Sequence, residues 1–316
     1  MAPPVTAPPL YRRSSRVITE PDEFADAASG IDLRVDFQKR QERVSRVEQF
    51  QSAGWALDFG EANVKTRVRG VLNGGWASLC LARGPGEATW NGQAAPPGSI
   101  SLLPPGAELE GRTTADFAWL TFAIPPSAWS RCLQIAGIRE RAPQQLMVCH
   151  LPEAVLTSLG HQLRQSHRLL TEGSDPTTID QTSGFVSEAF TTACELASRA
   201  KPPRDSLRNR ARLVRRATTW LQEHMAEAVQ IPDLCLALGV SRRELEYAFR
   251  SVFDQSPRDY LEALRLNAIR RALLRADASR DTVINVAYAH GVTHLSRFAA
   301  NYRVLFGENP AETLKG

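Results

Sequence analysis

Between residues 50 and 125 the apolar positions fall in short runs separated by turn formers. The segments WASLCLARG, GEATWNG, GSISLLPPG and FAWLTFAIP alternate or stay apolar over strand-sized lengths. Asn73-Gly74-Gly75, Asn91-Gly92 and Pro104-Pro105-Gly106 punctuate them as turns. Short strands at this spacing predict a β-sandwich or a small barrel.

From Pro126 the period becomes helical. Leu156, Leu159, Leu163 and Leu170 form one stripe of an amphipathic helix, and a second helix is predicted over 184–199. Such a stripe serves as core or as the seam of a homodimer, which is the expected assembly. The AKPPRDS stretch at 200–206 reads as a linker, since Pro202 and Pro203 stop a helix. That junction predicts two halves that touch only through it. Residues 1–20 read as a disordered Pro-rich arm, 21–199 as a domain with strands over about 50–125 and helices over 126–199, and 207–316 as an all-helical domain.

The helical part contains a two-fold repeat. Leu234, Cys235, Gly239 and Val240 recur 52 residues later as Val286, Ala287, Gly291 and Val292. Leu245, Phe249, Phe253 and Pro257 recur 53 residues later as Phe298, Tyr302, Phe306 and Pro310. Each unit has the form of a helix-turn-helix. A small residue (Cys235, Ala287) precedes a glycine by four positions and permits close helix crossing, while the glycine supplies the turn. Ser241 and Thr293 stand where the next helix needs an N-cap.

The phase of the second helix in each unit gives candidate contacts. With Leu245, Phe249, Val252 and Phe253 buried, Arg243, Tyr247 and Arg250 lie opposite, Glu246 at the margin and Arg242 at the helix start. With Phe298, Tyr302, Leu305 and Phe306 buried, Ser296, Ala300 and Arg303 lie opposite, flanked by Arg297 and preceded by His294. Arginine on the outward face of a helix N-terminus suits a DNA major groove. Residues 257–276, free of Gly and of further Pro, predict a connecting helix about 30 Å long, near the ~34 Å between successive major-groove faces.

Charge sharpens this picture. Residues 1–203 hold 20 basic and 21 acidic residues, whereas 204–316 hold 18 and 13, which places the nucleic-acid surface at the C-terminus. With 43% hydrophobic and 23% charged residues the composition is that of a globular protein, and no apolar run is long enough to span a membrane. The N-terminus lacks a signal-peptide core, so a cytoplasmic chain is expected, with its five cysteines as reduced thiols.

Two helix-turn-helix units joined by a long helix and ending FGENPAETL resemble the AraC/XylS family of bacterial transcription regulators. The likeness covers about residues 208–314 and rests on DLCLALGVSRRELEYAF, SPRDYLEALRLNAIRRALL and HLSRFAANYRVLFGENPAETL, which are similar to the ethanolamine-operon regulator branch. Val292 departs from the Phe usual after that glycine. The resemblance implies an α+β chain: an N-terminal cupin-like β-barrel with flanking helices, then an all-α domain of two helix-turn-helix units. It implies an effector-responsive regulator of a catabolic operon, with double-stranded DNA, RNA polymerase and a small-molecule effector as partners.

A cupin-like front domain could instead be an enzyme with an accessory helical domain, and the basic helices a non-specific nucleic-acid binder. None of the six histidines lies in a predicted strand, and Glu108 stands where a metal-binding cupin often has His. No phosphate loop, nucleophile elbow or Cys/His zinc spacing is present. No catalytic set, metal or cofactor is therefore expected. Trp55, Trp76, Trp90 and Trp119 belong to the strand region and are candidates for an effector pocket, or for core.

Overall fold

The computed structural model describes residues 11–27, 31–37, 45–72, 75–138, 142–172, 175–200 and 203–315. It is a mixed α/β chain with an N-terminal sheet domain and a C-terminal helical domain. Seven strands form one antiparallel sheet in the order β1 (Arg12–Ile18), β3 (Ser45–Gln51), β4 (Ala56–Ala62), β11 (Phe117–Ile124), β6 (Ala77–Arg83), β9 (Ser99–Leu103) and β12 (Met147–His150). Five form a second in the order β2 (Ile31–Phe37), β5 (Thr66–Leu72), β10 (Glu108–Thr113), β7 (Ala88–Trp90) and β8 (Gln93–Ala95).

The period-2 alternation of the strands divides their side chains between two cores. Leu57, Leu79, Leu81, Leu120 and Phe122 leave the larger sheet on its outer face. There they pack with residues of α1 (Pro126–Ile135), α2 (Glu153–Glu172) and α3 (Pro176–Arg199), among them Trp129, Leu163 and Phe190. Val47, Phe117 and Trp119 leave it on the inner face and meet Val35, Val68, Trp90 and Leu109 from the smaller sheet. The layers are thus helices, large sheet, small sheet. Asp175 caps α3, its carboxylate accepting from the Thr178 amide at 2.9 Å.

Several expectations are corrected here. The arm does not extend to residue 20: Arg12–Ile18 is a strand paired along its length with β3, and residues 1–10 lie outside the described ones. The strand region runs from Arg12 to His150 rather than over about 50–125. Its sheets do not close into a barrel: among the described residues no ladder joins them, and β1, β12, β2 and β8 remain edges. The leucine stripe of α2 is no surplus face, because Leu159, Leu163 and Leu170 are buried in the first core and Leu156 packs against it. His150 does sit in a strand, at the exposed end of β12.

In the helical domain, α4 (Asp205–Glu223) begins inside the stretch read as linker. It is followed by α5 (Ile231–Leu238), α6 (Arg242–Phe253), α7 (Pro257–Arg275), α8 (Val283–Ala289), α9 (Leu295–Phe306) and α10 (Pro310–Lys315). Two separate cores account for the arrangement. Tyr260, Leu261 and Leu264 of α7 pack with α4–α6, and Leu266, Ile269 and Leu273 pack with α8 and α9. An α7 that serves two cores must be apolar on more than one side, which is why it shows no single stripe. Its 19 residues make a rod of about 28 Å.

The two domains also touch far beyond the junction, contrary to the expectation from the Pro-rich segment. The outer face of the small sheet packs on α6 and α7 and binds α4 through side chains. Arg69 donates to Gln222 and Thr219 at 2.6 Å each, Arg215 pairs with Glu108, and Arg271 pairs with Asp36 at 2.7 Å. Arg270, buried on α7, binds Glu20 at 2.7 Å and Glu308 at 2.6 Å.

Candidate nucleic-acid interface

Ser241 opens α6 by accepting from the Glu244 amide at 3.1 Å. Leu245, Ala248, Phe249, Val252 and Phe253 are buried, which leaves Arg242, Arg243, Tyr247 and Arg250 exposed and Glu246 half-buried. The turn before α6 is made by Gly239 at φ +66°, a left-handed conformation open to glycine at little cost.

The second pair differs at its turn. Thr293 does not cap α9; His294 is the N-cap residue and makes no side-chain cap bond. The repeat spacing lengthens by one residue before α9, which displaces the threonine from the cap position. Ser296, Arg297, Ala300 and Arg303 are exposed, as is His294, while Phe298, Tyr302, Leu305 and Phe306 are buried. Arg297 is already engaged, pairing at 3.3 Å with Glu262 of α7. Val292 packs at the margin of the second core. Gly291, at φ +71°, is required twice over: a Cβ there would sit 2.4 Å from the Glu227 carbonyl oxygen.

One residue of this surface escaped the sequence reading. Arg210 of α4 lies over the Tyr247 ring, 4.3 Å from its centroid, and its Nη1 is 3.4 Å from Ser251 Oγ. The signal was the RNRARLVRR run at 208–216, whose Arg212 and Arg216 are exposed beside it.

A second site lies between the sheets: a mostly apolar cavity, partly open to solvent. Trp90 and Trp119 line it together with Phe24, Val68, Leu109 and Phe117. Trp55 is instead buried in the core under the helices, and Trp76, half-buried, is not among the lining residues. Four residues opposite one another on adjacent strands, Asp58, Thr121, Cys80 and Ser101, draw a polar row across the inner face of the large sheet. Burial pushes the Cys80 thiol up to about 11, so it stays protonated and unreactive near neutrality. Among the described residues no cluster of His, Cys, Asp or Glu could hold a metal, and no helix is long and apolar enough to cross a membrane.

Comparison with known proteins defines the class. Residues 234–316, which include both glycine turns and both outward faces, match the family model described as "Helix-turn-helix domain". Over 103 residues the chain is 32% identical to the probable thc operon regulatory protein of Rhodococcus erythropolis, covering 33% of this chain and 31% of that one. Over 100 residues it is 30% identical to the XylDLEGF operon transcriptional activator of Pseudomonas putida, covering 32% and 31%. It is also similar to a solved structure, a probable AraC family transcriptional regulator from Rhodopseudomonas palustris CGA009, at 30% identity over 33% of this chain and 95% of that one, with a TM-score of 0.30. The match thus spans about a third of the length of the curated relatives. The C-terminal region is a DNA-binding helix-turn-helix domain of the AraC/XylS family of transcriptional regulators.

Proposed function

We propose that the whole chain is an effector-responsive, sequence-specific transcriptional regulator. Its two helix pairs act as two helix-turn-helix units that enter successive major grooves on one face of a duplex. The observation that carries this is geometric. The outward faces of α6 and α9, with Arg243 and Arg250 on one and Arg297 and Arg303 on the other, are joined by a helix whose halves are packed into both units. A rod of about 28 Å approaches the ~34 Å spacing of successive grooves. Arg243 is placed to read guanine, and Arg250 and Arg303, further along their helices, to hold phosphates.

The sheet domain is proposed as the sensor, with the inter-sheet cavity as its effector site and Trp90 and Trp119 as two of its walls. No Arg, Lys or His is among the described lining residues, which favours a largely apolar effector over a carboxylate. RNA polymerase, a homodimeric partner and control of a catabolic operon rest on the family likeness. Footprinting the full chain on genomic fragments that it retains tests the DNA reading. Protection of two major-groove faces about 10 base pairs apart on one side is expected. Protection of one face alone would leave a single working unit.

A further inference from the structure

The inner faces of β4 and β11 grade from polar to apolar. Alternation and register set three pairs in line there: Asp58 opposite Thr121, Gly60 opposite Trp119, and Ala62 opposite Phe117. All of these except Gly60 line the cavity. Gly60 is bare for a reason, since a Cβ there would fall inside the Trp119 indole. The indole therefore lies across β4, on the inner face next along the strand from Asp58. Diagonal neighbours of this kind are ~7–8 Å apart at the backbone, within reach of an aromatic side chain.

The rest of the lining continues this gradient. Phe117 stacks with Trp119 at 6.0 Å between centroids, Phe24 flanks Trp119 at 6.2 Å, and Trp90 of the small sheet meets Phe117 edge-on at 6.1 Å. Val68 and Leu109 add aliphatic surface from the small sheet. At the polar end Asp58, 4% exposed, is the one carboxylate among the described lining residues, and Thr121, Cys80 and Ser101 share its row. Burial raises the Cys80 thiol to about 11 against a hydrogen bond with Thr121, and the Asp58 charge adds to the rise, so the field of the carboxylate reaches along the row.

Both features select the same sign of charge. In a water-poor space a carboxylate attracts cations and repels anions far more strongly than it does in water. Aromatic faces attract cations too, tryptophan best, and most where water is excluded. We propose that the cavity takes a primary arylalkylamine, its ammonium set between the Asp58 carboxylate and the Trp119 indole and its ring against Phe117 and Trp90. An ammonium carries three N–H donors, and the Asp58 carboxylate and the Thr121 hydroxyl stand at that end to accept them. Successive inner pairs are ~7 Å apart, close to the reach from such a nitrogen to the far side of a phenyl ring on a two-carbon arm. A carboxylate of the same shape would meet repulsion from Asp58. This inference names the chemistry of the effector and rests on the cavity being the effector site.

Isothermal titration of the full chain at neutral pH compares three guests of like size: phenethylamine, which is protonated there, neutral 2-phenylethanol, and 3-phenylpropanoate. Phenethylamine is expected to bind about tenfold more tightly than the alcohol or better, with the carboxylate weakest. Asp58→Asn, close in shape but uncharged, should remove that preference and change the affinity for the alcohol by less than about twofold. Loss of binding in Val68→Phe, which fills the cavity from β5, places the guest. The order of the three guests on the unaltered chain keeps the test open should the Asp58 variant fail to fold. An alcohol or carboxylate that binds as tightly as the amine, or a preference kept in Asp58→Asn, overturns the ammonium assignment and leaves the cavity reading standing. If no guest binds, or if binding survives Val68→Phe, the cavity reading falls and the assignment with it.

Discussion

The Arg210 guanidinium rests on the Tyr247 ring, 4.3 Å from its centroid, so a residue of α4 is carried on the outward face of α6. Stacking on an exposed tyrosine leaves guanidinium edges available to a phosphate. Arg210→Ala is expected to lower DNA affinity for all sequences alike and to reduce the log–log salt slope by about 0.9. Tyr247→Phe should leave the slope as it is, whereas Tyr247→Ala should reproduce part of the loss. A slope unchanged in Arg210→Ala would show that Arg210 only braces α4 against α6.

Glu110 makes the stability of the chain depend on pH. Desolvation at the domain interface raises its carboxyl from 4.5 to about 7, against the opposing pull of Arg69 and the Thr218 hydroxyl. The folded chain therefore binds this proton more tightly than the unfolded one. Its contribution to stability is full below pH 4.5, falls as pH rises towards 7, and is constant above that. Across that window the loss is at most about 3 kcal/mol. Glu110→Gln should flatten this part of the pH dependence of the denaturation midpoint. An unaltered slope in the variant would assign it to other groups.

The two turn glycines should respond unequally. Gly239→Ala meets only the cost of a left-handed φ, about 1 kcal/mol, since a Cβ there finds open space. Gly291→Ala adds a clash with the Glu227 carbonyl and should cost more, with the loss seen in the second helix pair. Denaturation midpoints and hydrogen exchange in α8 and α9 measure this. Equal losses at both positions would contradict it.

The first unit should supply more base discrimination than the second. Arg243 can pair with guanine through two hydrogen bonds, worth roughly 1–3 kcal/mol, while Ser296 accepts several bases and Ala300 at most touches a thymine methyl. Glu262 further occupies Arg297. Affinities of Arg243→Ala and Ser296→Ala for duplexes mutated in either half-site give the ordering. A larger loss of base preference in Ser296→Ala would reverse it.

What the sequence disclosed follows from how local each signal is. The helix pairs were legible because a 52–53-residue repeat marks buried Phe249 and Tyr302, and turn glycines Gly239 and Gly291, at equivalent places. The strands before residue 50 were not: β1 reads RRSSRVI, an edge strand with five of its seven residues exposed, and carries no apolar alternation. The cap of α9 was misplaced by one residue because the insertion in the repeat lies just before it. Docking was hidden for another reason. Arg67, Arg69, Glu108 and Glu110 alternate with apolar residues, and such a pattern reads as a solvated outer face until a second domain is seen to cover it. The tryptophans could not be sorted by sequence, since Trp55, just before β4, packs in the core under the helices while Trp119, on β11, faces the cavity, and nothing local to either residue marks the difference.

The central claim is that one chain reads two half-sites in register. Selection of bound sequences from random duplex DNA by the purified full-length chain at physiological salt tests it most directly. The expected result is a pair of motifs with centres about 10 base pairs apart, lost when about 5 base pairs are inserted between them. A flat profile, or a motif indifferent to that insertion, would contradict the account.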